Sequence, residues 1–281
     1  MLKARAMEGD VVAETAPPGV QDESEMGATP MSALWLQVAR LALMLALLAV
    51  WQVAAGYVGE FWISKPTAIA TRLVEWIGSG YLLTHLSITL QETALGFILG
   101  ATSGIAAGFL LGTSPFLGKL TDPFVTAIYS LPKVALAPLF VLWFGIGIEM
   151  KVVLAATIVF FLVFYNTYAG VRDVERELLD VLKVMGAKRW HLLLKVVLPG
   201  SLHWIYVGLK LSVPYALIGA VVGELVASSR GLGYLLQYSA GQFDTTGLMA
   251  TLFILMVLAM IMNEVLNRTE AVLLRWKSAG N

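Results

Sequence analysis

Residues 152–199 read VVLAATIVFFLVFYNTYAGVRDVERELLDVLKVMGAKRWHLLLKVVLP, and this stretch decides the fold. Its first part, up to Val171, carries no charge and is long enough to cross the hydrocarbon core of a bilayer, which takes about 20 apolar residues as a helix. The pattern then changes abruptly. In RDVERELLDVLKVM (172–185), Val174, Leu178, Val181, Leu182 and Met185 recur every three or four residues, and charges fill the remaining positions. That spacing predicts an amphipathic helix. Gly186 stands where the helix would stop, since glycine accepts the left-handed conformation of a helix terminus. A second short helix, WHLLLKVVL, is expected to close at Pro199, because proline cannot continue the hydrogen-bond ladder. The chain would thus leave the membrane, form a helix–glycine–helix elbow and re-enter. By pattern alone, the elbow is either a lever presented to a soluble partner or a helix lying in the membrane interface.

Composition agrees with a chain embedded in lipid. It is 58% hydrophobic and 14% charged, where a water-soluble domain is nearer half apolar and a quarter charged. Reading outward from 152–171, about six stretches have spanning length. They run over 34–58, with Arg40 inside; 89–111, with Glu92 near its start; 123–148, with Lys133; 152–171; 205–226, with Lys210 and Glu224; and 245–263. The third and fourth, joined through Gly145, Gly147 and Glu149, are expected to form a helical hairpin. Between the first two, Pro66 and Thr67 look like a helix start, and Ile69, Leu73, Trp76 and Ile77 recur at helical spacing. A short amphipathic helix on the outer face is predicted, with Trp62 and Trp76 near the interface. Residues 1–32 are acidic, punctuated by Pro and Gly and without apolar periodicity, so they read as a disordered tail and not as a signal peptide. The membrane domain is placed at 33–281.

Basic residues orient the spans. Arg172, Arg176, Lys183, Lys188, Arg189 and Lys195 lie between the fourth and fifth spans, and Arg268, Arg275 and Lys277 follow the sixth. The opposite segments hold only Lys65, Arg72, Lys151 and Arg230. Both termini are therefore expected in the cytoplasm. The net charge of zero and the lack of cysteine argue against nucleic acid, disulfides and thiolate metal sites. The three histidines, His85, His191 and His203, lack metal-ligand spacing and read as interfacial or loop residues. No metal and no catalytic residue is assigned.

Asp180, Gly186, Val196, Leu198 and Pro199 stand at the spacings of the EAA signature of bacterial ABC importer permeases. Gly, Leu and Pro match. Asp180 stands for Glu, Val181 and Leu182 for the two alanines, and Val196 for Ile. LPKVALAPLFVLWFGIG (131–147), GELVASSRGLGYLL (223–236) and ISKPTAIATRL (63–73) also resemble segments of the nitrate, sulfonate and taurine group of these permeases. The similarity covers about residues 34–277. It implies an all-α, type I ABC importer permease bundle of about six spanning helices in the bacterial cytoplasmic (inner) membrane, acting as a homodimer. The implied ATPase-coupling segment (172–199) contains Asp180, Val181, Leu182, Gly186, Ala187, Val196, Leu198 and Pro199. A separate cytoplasmic ATPase would bind the ATP, as this chain has no GxxxxGK[ST] phosphate loop and no cofactor of its own. A periplasmic or lipid-anchored binding protein would deliver a small, anionic solute.

Within the spans, ionisable residues are costly and point to a cavity or a partner. Glu224 is a candidate gate or binding-protein contact, or else an interfacial carboxylate bonded to backbone amides beside Arg230. Lys133, set among Pro132 and Pro138 in a helix expected to be kinked or broken, either draws an anion to the pathway or snorkels to the interface. Asn166 is a weaker pathway candidate that equally suits a bond between helices, and Lys210 could reach the inner surface. Gly96, Gly100, Gly104 and Gly108 form a ridge for close helix approach. Two other classes fit less well. A self-sufficient secondary transporter or channel would need its own ion relay and commonly a repeat of broken helices. An intramembrane enzyme would need a catalytic pair, for which His203 near Ser201 is the one suggestion.

Overall fold

The computed structural model describes residues 33–273, with side chains described over 35–175 and 177–269. The acidic tail 1–32, Arg275 and Lys277 lie outside the described residues. The described chain is helical: α1 (Ala33–Val58), α2 (Pro66–Gly78), α3 (Tyr81–Gly112), α4 (Pro115–Ser130), α5 (Ala137–Phe144), α6 (Ile148–Arg172), α7 (Arg176–Val184), α8 (Arg189–Leu192), α9 (Leu198–Val226), α10 (Leu232–Gly241) and α11 (Thr245–Leu273). No strand occurs among the described residues. The chain divides into two units, one ending at Val50 within α1 and one from Trp51 onward. The first is the leading, wholly apolar part of α1 apart from Gln37 and Arg40. The rest of the description concerns the second.

Among the described residues, five helical paths are long and apolar enough to cross a membrane, and a sixth is added if the bent pair α4 and Lys133–Phe144 counts as one. Most of the expected spans appear, several of them longer. The third span is broken, as its prolines predict, but its bounds need correction: it starts at Pro115, stops at Ser130 and resumes after a bend of 80°, ending at Phe144. The cause is local. Leu131 precedes Pro132, and a residue before proline is pushed out of the α region. Leu131 is accordingly extended (ψ 135), and a 3₁₀ turn over Lys133–Leu136 leads into α5. Lys133 holds the break: its Nζ donates to the Tyr129 carbonyl at 2.5 Å and sits 4.2 and 5.0 Å from the ring centres of Tyr129 and Phe161, a cation–π arrangement.

The second correction concerns Pro199, which does not end a helix. α8 passes into a π turn over Leu193–Val197 and then directly into α9, so Arg189–Val226 is one helical path of 38 residues. Proline lacks an N–H for the carbonyl four residues back and crowds it. The wide turn immediately before Pro199 relaxes that crowding, as π turns commonly do inside α-helices.

α6 is the central element, clamped between α3 and α9. The glycine ridge of α3 extends one turn beyond the expected four positions, from Gly96 to Gly112. A Cβ on Gly96 would lie 2.5 Å from the Ala155 Cβ, one on Gly100 2.5 Å from the Ala156 carbonyl oxygen, and one on Gly108 2.8 Å from the Thr167 Cβ. α9 presses on the other side through Gly208, Gly219 and Gly223, which face Asn166, Ala155 and Lys151. Asn166 is thus part of the α6–α9 contact, but its amide Nδ2 donates at 2.8 Å to Leu162 of its own helix, not across to α9. Around this clamp, Ala101, Val159, Val163 and Ala216 form a buried core. Leu82, Leu217, Leu232, Leu235 and Ile254 join α3, α9, α10 and α11 in another.

Replacing Gly100 with alanine inserts a methyl into this contact. The expected cost is about 1–3 kcal/mol of overpacking, read as a lower Tm of the purified chain. Gly78→Ala, where a Cβ meets nothing within 4 Å, is expected to leave Tm unchanged or slightly raised.

Candidate functional site

The elbow is built by a complete helix stop. α7 ends with Ala187 N–H donating to the Leu182 carbonyl (2.9 Å) and Gly186 N–H donating to the Lys183 carbonyl (2.9 Å). This pair of bonds defines a Schellman motif, and it requires a left-handed residue at the position after the cap. Gly186 supplies it, with φ +81. The two faces of α7 then diverge. Leu179, Leu182 and Ala187 are half-buried, and Leu179 and Ala187 line, with Val171, Asp180, Lys183 and Leu192, a cleft of about 710 Å³ between elbow and bundle. Leu178, Val181, Val184 and Met185 point away and are exposed, Val184 at 89% and Met185 at 76%, and Trp190 of α8 is exposed beside them. Asp180 is exposed and pairs with Lys183 at 2.8 Å. Val196 and Leu198 are half-buried within the π turn and the start of α9, and Pro199 is exposed. Trp204 Nε1 donates to Asp173 at 3.1 Å, tying the start of α9 to the end of α6.

A second polar site lies at the opposite end of the bundle. Glu224 of α9 is fully buried. Its Oε1 accepts from the Thr89 hydroxyl of α3 at 2.6 Å, and its Oε2 accepts from the Gly233 N–H in the first turn of α10. A carboxylate at a helix amino terminus is favourably placed against the helix dipole. Thr89 Oγ1 also accepts from Leu232 N–H at 2.8 Å, and His85 Nδ1 accepts from Gly231 N–H at 3.0 Å. Three residues of two spanning helices thereby hold the turn that opens α10. Glu92, one turn along α3 from Thr89, is 1% exposed and lies 3.5 Å from Lys151 Nζ, itself buried on α6. Among the described residues, no group of three or more His, Cys, Asp or Glu is arranged to hold a metal.

Residues 100–273 match the family model described as the binding-protein-dependent transport system inner membrane component. The chain belongs to this family. The permease is 37% identical over 243 residues to a putative aliphatic sulfonates transport permease protein of Bacillus subtilis, spanning 85% of this chain and 87% of that one. It is 32% identical over 234 residues to a formylaminopyrimidine transport permease protein of Halalkalibacterium halodurans, spanning 83% and 93%. A solved structure of the MetNI methionine ABC transporter shares its fold, with a TM-score of 0.58 at 20% identity over 65% of this chain and 91% of that one. The permease is therefore a multi-pass membrane protein of the ABC importer class.

Of the residues singled out in the sequence, the permease brings together the elbow set 180–187 and, separately, Glu224 with His85. Lys133 and Asn166 stand apart from both. Two sequence expectations are corrected here. Lys151 is no loop cation but a buried residue in the first turn of α6, and His85 is no interfacial histidine but a buried bond acceptor. Sequence reasoning noted Glu92 within the second span and the Gly231–Gly233 turn within a family-like stretch, but gave neither these residues nor Thr89 a place in a site. A signal was present: the second and fourth spans begin, and the fifth ends, at the same end of an alternating bundle, with Glu92, Lys151 and Glu224 in or next to those span ends.

Gly231 (φ +109) turns the chain under the Glu224 carboxylate, which a Cβ at 231 would strike. Gly231→Ala is expected to lower Tm and to increase proteolysis between Ala227 and Gly231, with Gly241→Ala, which meets nothing within 4 Å, as the silent control. Near this end, Asp244 caps α11 by accepting from Gly247 N–H (3.0 Å) and accepts from Arg72 at 2.6 Å. Burial pushes its carboxyl up, but the Gly247 N–H and the Arg72 guanidinium outweigh burial and hold it below the ordinary aspartate value. Its stabilising contribution is then complete above the unfolded value of about 3.9 and is lost as pH falls through the lower folded value. The Tm of Asp244→Asn is expected to vary less than that of the wild type across this acid range.

Proposed function

We propose that this permease forms the translocation path of an ATP-driven importer for a small, anionic solute of the nitrate, sulfonate or taurine kind, and that the elbow 172–199 is its docking point for a separate cytoplasmic ATPase. The observation that carries the reading is the exposed apolar edge of the elbow. Leu178, Val181, Val184, Met185 and Trp190 are exposed on an elbow that also carries many charges, and exposed apolar residues on such a charged segment support a protein contact. The elbow is rigid at its tip, through the Gly186 stop, and continuous with α6 on one side and α9 on the other. Force on it is transmitted into the bundle, as a rigid-body transition between two packings requires. The basic residues around it favour the cytoplasmic side, and so favour both termini inside.

An anionic cargo is supported by the aliphatic sulfonates in the name of a relative 37% identical, and a formylaminopyrimidine in the name of another widens the range of small molecules. Lys133, the half-buried cation at the break between α4 and α5, is the pathway residue suited to an anion. Glu224 and Asn166 are engaged in packing contacts. A second copy of this chain would complete the path, and an external binding protein would deliver the solute.

The test is purification of the chain in mild detergent from its own cells, with mass spectrometry of what accompanies it. A phosphate-loop ATPase is expected with the wild type. It is expected to be lost from a Val184→Asp, Met185→Asp variant that still reaches the membrane. Gly186→Pro, which removes both the left-handed turn and the N–H bonded to Lys183, is expected to abolish ATP-dependent uptake at normal membrane levels. Retention of the ATPase by the double variant together with unimpaired uptake would exclude the elbow as the docking point.

A further inference from the structure

The buried cluster at the end of the bundle opposite the elbow has a charge count that does not close. Glu92 lies 3.5 Å from Lys151, and Glu224 is held beside both: Thr89, one turn before Glu92 on α3, bonds Glu224, and Gly223, the neighbour of Glu224, packs on the Lys151 side chain. The groups of this cluster can be taken element by element. α3 brings His85 and Glu92, α6 brings Lys151, and α9 brings Glu224. α10 brings no charge, only Tyr234, whose ring stacks on His85 at 5.8 Å. His85 Nδ1 is taken up by the backbone of Gly231, whose N–H lies at 3.0 Å and carbonyl at 3.2 Å, and not by either carboxylate. Arg230 lines the neighbouring cleft but is exposed. Two carboxylates and one ammonium remain, all buried, with one negative charge in excess. A buried charge without a partner is strongly disfavoured.

The hydrogen-bond inventory points to the same gap. Each oxygen of Glu224 accepts one bond, from Thr89 and from Gly233, and keeps a lone pair for a further donor. Oε2 of Glu92 is buried and has no partner. Two ionised carboxylates can only accept, so neither can satisfy the other. One proton on Glu92 makes it a donor toward Glu224, fills the orphan position and brings the cluster to neutrality. Paired carboxyl groups in one site commonly share a proton for this reason. A metal ion would need more oxygen ligands than the site offers.

We propose that the Glu92–Glu224 pair, with Lys151, is a proton-binding site, and that its proton keeps the 227–231 segment seated on α3. The proton has a route: Glu92 and Lys151 line an open cleft of about 620 Å³ together with Gln91, Ser228, Ser229 and Arg230. Loss of the proton leaves two facing carboxylates, and repulsion between them acts on Glu224, the residue that holds the first turn of α10.

The chain contains no cysteine, so a single thiol can be placed at the exposed Ser229. Two measurements on the full-length purified chain test the site. Infrared spectra of the wild type at neutral pH are expected to show the carbonyl stretch of a buried protonated carboxylic acid, and Glu92→Gln is expected to lose that band while keeping the wild-type Tm. Labelling of Ser229→Cys by a thiol reagent is expected to rise several-fold more on moving to alkaline buffer than it does in the same variant carrying Glu92→Gln, a comparison that cancels the ionisation of the thiol. Absence of the band in the wild type, its persistence in Glu92→Gln, equal pH dependence in the two backgrounds, or failure of Glu92→Gln to fold would each overturn the proposal. Neither readout requires ATP, a partner or a transported solute, so its failure is distinguishable from failure of the transport reading.

Discussion

The close approach of α6 to α3 and α9 is the contact on which the rest of the structure depends. In lipid there is little hydrophobic gain from pressing two helices together, because acyl chains are as apolar as leucine. What remains is the number of atoms brought to van der Waals distance. The glycines at 96, 100, 104, 108 and 112 on one side, and at 208, 219 and 223 on the other, remove the side chains that would hold the backbones apart. Backbone then meets backbone and β-branched side chain over the whole length of α6. Any added Cβ has no flexible neighbour to displace at several of these positions, which is why the contact tolerates so little change.

Because α6 is held along its length, its two ends belong to one mechanical element. One end carries Lys151 and meets the buried Glu92–Glu224 cluster. The other carries Arg172 and runs into α7. α9 repeats the arrangement in the opposite direction, from the elbow through the π turn to Glu224. The elbow and the polar cluster are thus the two ends of the same pair of helices. The π turn at Leu193–Val197 and the bend at Leu131–Pro132 are two places where the helical ladder is interrupted. Both adjoin prolines, whose missing N–H and fixed φ set the local geometry.

Much of this was legible in the amino-acid sequence. Runs of apolar residues marked the spans, since a spanning helix must satisfy its own backbone and face lipid over a fixed length. The three- and four-residue spacing of Leu178, Val181, Leu182 and Met185, followed by Gly186, marked the elbow and its stop, because both follow from local backbone preferences. The misreadings were of another kind. Pro199 was expected to end a helix because a local rule says so, and a wide turn upstream made room for it. Lys151 looked like a loop cation because it falls between the expected third and fourth spans, and His85 looked like an interfacial or loop residue because the histidines lack metal-ligand spacing. Their true positions depend on partners far away in the chain.

The sequence by itself determined the class, the approximate number of spans, the elbow and the family resemblance, all properties of short windows governed by hydropathy, helical period and glycine or proline conformation. Only the tertiary structure decided which side of α7 is covered and which is left exposed, that α6 is the clamped centre, and that Glu92, Lys151 and Glu224 meet in one buried site. Those are outcomes of packing between segments far apart in the chain. The cost of burying a charge depends on what stands beside it, and no single segment of the chain contains that information.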